Sequence, residues 1–200
     1  MDLAGFKKNY MTEGAQEEHA KLVAFLSVKF FKKLLNFFPN LKEYDNADDL
    51  ALLKYGAYLH DIGVIFEKKL DRGHHKIGRD LVLENKISGL DEVSNLIVAN
   101  IVRYHRKSIP DASKHGAYAV LSEKDRKKTD IFSSIVRLVD GIDFKHFNMV
   151  DEIDVNYEKS ANILTLTLGV NIMLNIGYVE VLNKKKKFFE KVFKTEVLFN

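Results

Sequence analysis

The chain has 200 residues, 46% of them hydrophobic and 30% charged, which suits one substantial globular domain and excludes a disordered or fibrous class. A formal net charge of +3 is too small to point to a nucleic-acid partner, and no apolar run approaches the ~18 residues of a membrane span. Cysteine is absent, so any metal must be held by His, Asp, Glu or water; with no hydrophobic leader at the N-terminus, a cytoplasmic protein is expected.

The first strong pattern spans residues 14–38, with apolar groups at Leu22, Val23, Leu26, Phe30, Leu34 and Phe37 at helical spacing and Pro39 as a stop. Residues 40–47 read as a polar turn. A helix is expected to start at Asn46–Asp49 and run to about Lys69, carrying His60 and Asp61 in its middle. Gly73 breaks the pattern. Shorter helices follow from His74 to Lys86, from Asp91 to Arg106 and over 115–121, with Ile109–Lys114 as a loop. Thr129 is read as the cap of a further helix through Ile131, Ile135, Leu138 and Val139. After Met149 the period changes to two, around Val155–Tyr157 and Ile163–Leu168, which predicts strands; 178–194 returns to a helical, lysine-rich pattern, and 195–200 closes as a strand. Pro39 and Pro110 are the only prolines. The reading is a mainly α fold: a helical domain over 1–149 and a small α+β tail over 150–200 packed on it.

The chemistry lies in an apolar run, LHDIGVIF at 59–66, where His60 and Asp61 stand side by side. A buried carboxylate costs several kcal/mol unless something pairs with it. His19 lies on the first long helix, and Asp140 sits in IVRLVDGID at 135–143, again among apolar residues, with Asp143 at the end of that run as a further candidate. Two His and two Asp drawn from three helices make an N2O2 set suited to Mn, Fe, Ni, Co, Zn or Mg. Hydrogen-bonded core histidines, with Asp140 paired to Arg137, are the ordinary alternative.

The order His19, then His60-Asp61, then Asp140 resembles the H…HD…D signature of the HD superfamily of metal-dependent phosphohydrolases. Together with GHHKIG at 73–78, IVRYHRK at 101–107 and EEHAKLV at 17–23, it resembles the C-terminal HD domain of the exopolyphosphatase/guanosine pentaphosphate phosphohydrolase family over residues 14–199. The resemblance implies an HD-domain helical bundle and a divalent ion on His19, His60, Asp61 and Asp140. It offers His74 and His105 as ligands of a second ion bridged by Asp61, and gives Asp61 the catalytic role of bridging or of orienting the attacking water. Valine occupies position 64, where many HD hydrolases carry Lys, and no G-Y-P follows His105. The family's phosphatase site belongs to an actin-like domain with no counterpart in this sequence, so a stand-alone HD domain is expected.

Arg79, Arg106 and Lys107 are the cations nearest the histidines in sequence and are taken as phosphate-binding, with Arg103 structural. His115 and His146 read as surface residues or outer neighbours of the site, and His75 as either an exposed loop residue or a participant. The run NKKKK at 183–187 is read as a solvated helix face above an apolar stripe of Val181, Phe188, Val192 and Phe193. The expected function is hydrolysis of a phosphate ester or anhydride in a nucleotide, a guanosine polyphosphate or polyphosphate. The alternative is a non-catalytic regulatory module that binds such a ligand. A homodimer is compatible with the apolar tail; a membrane partner is not expected.

Overall fold

The computed structural model describes residues 1–12, 14–147, 149–168 and 176–200, the side chain of residue 176 excepted. The first helix, α1 (Leu3–Tyr10), was not foreseen in the sequence. Asp2 caps it, its side chain accepting from the Gly5 N–H at 2.8 Å, and Phe6 is fully buried. The long helix α2 (Ala15–Leu34) carries Glu17 and Glu18 in its first turn and Lys32 and Lys33 in its last, the charge order its dipole favours. Pro39 does not simply stop it. It opens a 3-10 turn, Pro39–Tyr44, whose Leu41 and Tyr44 are buried rather than solvated.

Asn46 caps α3 (Ala47–Tyr58), accepting from the Asp49 N–H at 2.9 Å. Here the structure corrects the sequence reading. The helix expected to reach Lys69 ends at Tyr58, and His60 and Asp61 lie in the turn that follows, not in mid-helix. The Ile62 N–H bonds the Leu59 carbonyl at 3.2 Å and the Val64 N–H bonds that of Asp61 at 3.0 Å, so the turn is tighter than an α-helix. Gly63 makes this feasible: a Cβ there would lie 2.2 Å from the His74 carbonyl oxygen and 2.8 Å from the Gly78 nitrogen. A 3-10 turn, Val64–Phe66, and the short α4 (Glu67–Leu70) complete the connection, and Asp71 ends it at φ 44°.

Then come α5 (His74–Asn85), α6 (Glu92–Tyr104), the single turn α7 (Gly116–Ala119) and α8 (Glu123–Ile142). Asp91 caps α6 and Ser122 caps α8. Thr129 is therefore not a cap; it lies inside α8, its hydroxyl donating to the Asp125 carbonyl at 2.7 Å. Every residue from Ile97 to Tyr104 is buried, so α6 is the central helix, packed against α3, α5 and α8. Arg137 does not pair with Asp140. Its guanidinium donates to the Lys107 and Ser108 carbonyls at 3.0 and 3.2 Å, tying α8 to the end of α6.

Beyond Val150 lie β1 (Ile153–Glu158), β2 (Ile163–Leu168), α9 (Ile176–Phe193) and β3 (Glu196–Phe199). The sheet order is β1-β2-β3, β1 antiparallel to β2 with Val155 opposite Leu166, and β3 parallel to β2 with Val197 opposite Leu164. The fold is mainly α with a small α+β element. Leu164, Leu166, Leu182, Phe189 and Val197 join the same hydrophobic core as Phe30, Phe31 and Phe132, with the Phe30 and Phe189 rings 5.6 Å apart. No helix among the described residues is long and apolar enough to cross a membrane.

Candidate metal centre

Four of the expected histidines converge from four different segments: His19 from α2, His60 from the turn after α3, His74 from the first turn of α5, and His105 from the end of α6. All four are buried, as are Asp61 and Asp140. One regularity runs through the set. Each imidazole has its Nδ1 against an acceptor: His19 at 2.7 Å from the Asp143 carboxylate, His60 at 2.6 Å from the Ala57 carbonyl, His74 at 3.0 Å from the Glu67 carboxylate, and His105 at 2.7 Å from the Val102 carbonyl. A proton on Nδ1 turns the Nε2 of each ring toward the cluster, the usual arrangement of metal-ligating histidines, although that of His74 also meets Arg106 Nη1 at 3.0 Å.

The Nε2 atoms face two carboxylates. Asp61 Oδ1 lies 3.0 Å from His74 Nε2 and 3.4 Å from His105 Nε2, while its Oδ2 lies 3.6 Å from His60 Nε2. Asp140 Oδ1 is 3.6 Å from His19 Nε2 and 3.8 Å from His60 Nε2. Two triples have donor atoms close enough to share a cation, His19-His60-Asp61 and Asp61-His74-His105, and Asp61 belongs to both. The Nε2 atoms of His19 and His60 are buried without a hydrogen-bond partner, which a cation in the gap would satisfy. The donor set, imidazole and carboxylate with no thiolate, fits a divalent first-row ion or Mg.

The charges follow from this geometry. Burial lowers the His19 pKa, but the adjacent carboxylates of Asp140 and Asp143 outweigh it and carry the ring up to about 9. Burial pushes the Asp61 carboxyl up, yet the surrounding His60, His105 and His74 hold it well below the usual carboxylate range. Asp140 behaves likewise, with the Lys185 ammonium as the main opposing influence. Burial, with a smaller push from a neighbouring imidazole, sends His60 down, and His105 down to about 4, so both rings are neutral at pH 7.

Among the expected phosphate-binding residues, the structure brings Arg106 to the cluster and does not bring Arg79 or Lys107. Arg106 Nη1 lies 3.0 and 3.1 Å from the two ring nitrogens of His74. Arg79 is held by its neighbour Asp80. Lys107 is exposed, in a left-handed conformation at φ 59°. Arg103 is buried over the Tyr104 ring, in keeping with a structural part. His75 is buried rather than loop-exposed, and His146 stacks on His19 with ring centroids 3.8 Å apart.

Asp143, a candidate in the sequence, closes α8 one turn beyond Asp140 and reaches His19. Two further participants were not singled out there. Glu67 also accepts from the His74 backbone N–H at 3.3 Å, supplying the helix cap that Gly73 lacks; nothing in the sequence flags it. Lys185 belongs to the lysine run read as solvated, yet its ammonium donates to Asp140 Oδ2.

Comparison with curated proteins finds no match. Residues 6–175 match the family model described as Ppx/GppA phosphatase, domain III. That span includes every histidine of the cluster with Asp61 and Asp140, and the chain belongs to the Ppx/GppA phosphatase domain III family.

Proposed function

We propose that this chain is a metal-dependent phosphohydrolase of the HD type, cleaving a phosphate ester or anhydride in a nucleotide, a guanosine polyphosphate or polyphosphate. The observation that carries the reading is the common orientation of the four imidazoles, each with Nδ1 on an acceptor and Nε2 turned toward Asp61 or Asp140. His19, His60, Asp61 and Asp140 would hold one divalent ion, and Asp61, His74 and His105 a second. Bound divalent ions supply a lowered water pKa and charge neutralisation at phosphoryl oxygens.

The protein's own residues do the rest. Asp61, whose carboxyl lies well below the usual carboxylate range, is the acceptor best placed to orient an attacking water. Glu67 and Asp143 fix the rings of His74 and His19, so the ligand geometry exists before substrate arrives. Arg106, beside His74, brings a permanent cation to the rim, where an anionic substrate enters. The family context supports a phosphate-bearing substrate.

A second reading, a non-catalytic module that binds a nucleotide or polyphosphate, is favoured by position 64. Val64 is 38% exposed on the 3-10 turn and offers no amine to the centre. One assay separates the two: phosphate release from nucleotides, guanosine polyphosphates and polyphosphate, with Mn, Mg, Co, Ni and Zn in turn, beside Asp61→Ala. Turnover that disappears in Asp61→Ala is the expected result. Metal uptake without release from any substrate would decide for the binding module.

A further inference from the structure

The lysine run at 184–187 is divided by the geometry of α9. Lys184 is exposed, with a loose ion pair to Glu180 at 3.8 Å. Lys186 turns to the sheet, reaching Glu190 at 3.2 Å and the Val197 carbonyl at 2.6 Å. Lys185 turns the other way, into the metal centre, and its side chain keeps only 19% exposure. Its stem is packed rather than free. A Cβ on Gly141 would meet Lys185 Cβ, Cγ and Cδ at 3.1–3.2 Å, so the bare backbone of α8 at that point is what lets the stem lie flat.

The two oxygens of Asp140 divide their work. Oδ1 faces the Nε2 atoms of His19 and His60, and Oδ2 accepts from the Lys185 ammonium. Lys185 therefore does not compete for the oxygen that faces the histidines. An ammonium has three N–H donors, and among the described residues the bond to Asp140 is the one it makes. Arg106 stands against His74, which faces Asp61 Oδ1, while Lys185 stands against Asp140.

We propose that Lys185 is a phosphate-recognition residue of the centre, its ammonium anchored on Asp140 Oδ2 and presenting its remaining donors to a phosphoryl oxygen beside His19 and His60. It would supply from α9 the amine that Val64 does not, making the C-terminal element part of the substrate site. The proposal rests on the metal-centre reading above.

The test is calorimetry on the full chain, first with Mn(II) and then with inorganic phosphate added to the manganese-loaded protein. Lys185→Met is expected to keep manganese uptake and to lose phosphate affinity by roughly tenfold or more, the value of one charge-assisted hydrogen bond. Lys185→Arg should recover most of that loss, and Lys184→Met should match the wild type. Unchanged phosphate affinity in manganese-loaded Lys185→Met overturns the proposal. So does joint loss of manganese uptake and thermal stability in that variant without recovery in Lys185→Arg, which would leave Lys185 a structural part only. A wild type that takes up manganese but not phosphate also overturns it. A wild type that takes up no manganese overturns the metal-centre reading, and this proposal with it.

Discussion

Asp61 Oδ1 faces His74 and His105 at 3.0 and 3.4 Å while Oδ2 faces His60 at 3.6 Å, so one carboxylate belongs to both groups of candidate ligands. Substitutions should therefore be graded. Asp61→Ala removes an oxygen from both groups, whereas His105→Ala touches only one. After equilibrium dialysis against Mn(II), elemental analysis should find about two ions per wild-type chain, about one in His105→Ala and almost none in Asp61→Ala. A second residue-scale prediction lies outside the centre. Burial raises the Asp130 carboxyl to about 6 from an ordinary 3.8, against the opposing hydrogen bond from the Tyr118 hydroxyl. The folded protein then binds this proton more tightly than the unfolded chain. Its stabilising contribution is complete below 3.8 and is lost as pH rises through about 6. Asp130→Asn keeps an acceptor for Tyr118 and removes the buried charge. At pH 7 it should gain on the order of 1 kcal/mol, discounted for partial solvent access, or about 2–4 °C in Tm. At about pH 4, where the folded carboxyl is already neutral, most of that gain should vanish in parallel thermal melts.

Element boundaries decide how the side chains reach the centre, and the turn at His60–Gly63 matters most. A straight helix through these residues would carry His60 and Asp61 on adjacent positions about 100° apart. Ending α3 at Tyr58 allows a tighter turn in which both side chains meet the same cluster. Gly63→Ala should be costly, because the new methyl meets the backbone of His74 and Gly78, which cannot swing aside. A loss of roughly 1–3 kcal/mol in urea unfolding is expected, together with weaker Mn(II) binding from the displaced turn. Wild-type metal affinity in a destabilised Gly63→Ala protein would show that the turn is not what aligns the ligands. Periodicity made most elements legible: α2, α5, α6 and the strand–strand–helix–strand tail follow their hydrophobic patterns. It failed where polar residues have buried partners. The pattern ran on through 59–63 because a tight turn and a helix bury similar apolar residues. Thr129 looked like a cap because its bond to the Asp125 carbonyl is invisible in one dimension. The run at 183–187 looked like one solvated face, yet Lys185 and Lys186 leave it in different directions.

On the scale of the whole molecule, the candidate ligands come from α2, the turn after α3, α5, α6 and α8, elements far apart in sequence. A bound ion therefore cross-links the bundle. Metal at about a hundredfold above its Kd should raise Tm by about 5–10 °C, and a chelator should reverse the shift. The candidate ligands, and Asp143 one turn beyond Asp140, were legible from their types, order and spacing; Glu67 and Lys185 were not, because their contacts follow from packing and leave no spacing rule. The measurement that tests the account most directly is an anomalous difference map from a crystal of the protein soaked in Mn(II). The account predicts two peaks roughly 3.5–4 Å apart with Asp61 between them, one against His19, His60 and Asp140 and the other against His74 and His105. A map with no peak at Asp61, or with manganese bound only elsewhere, would contradict it.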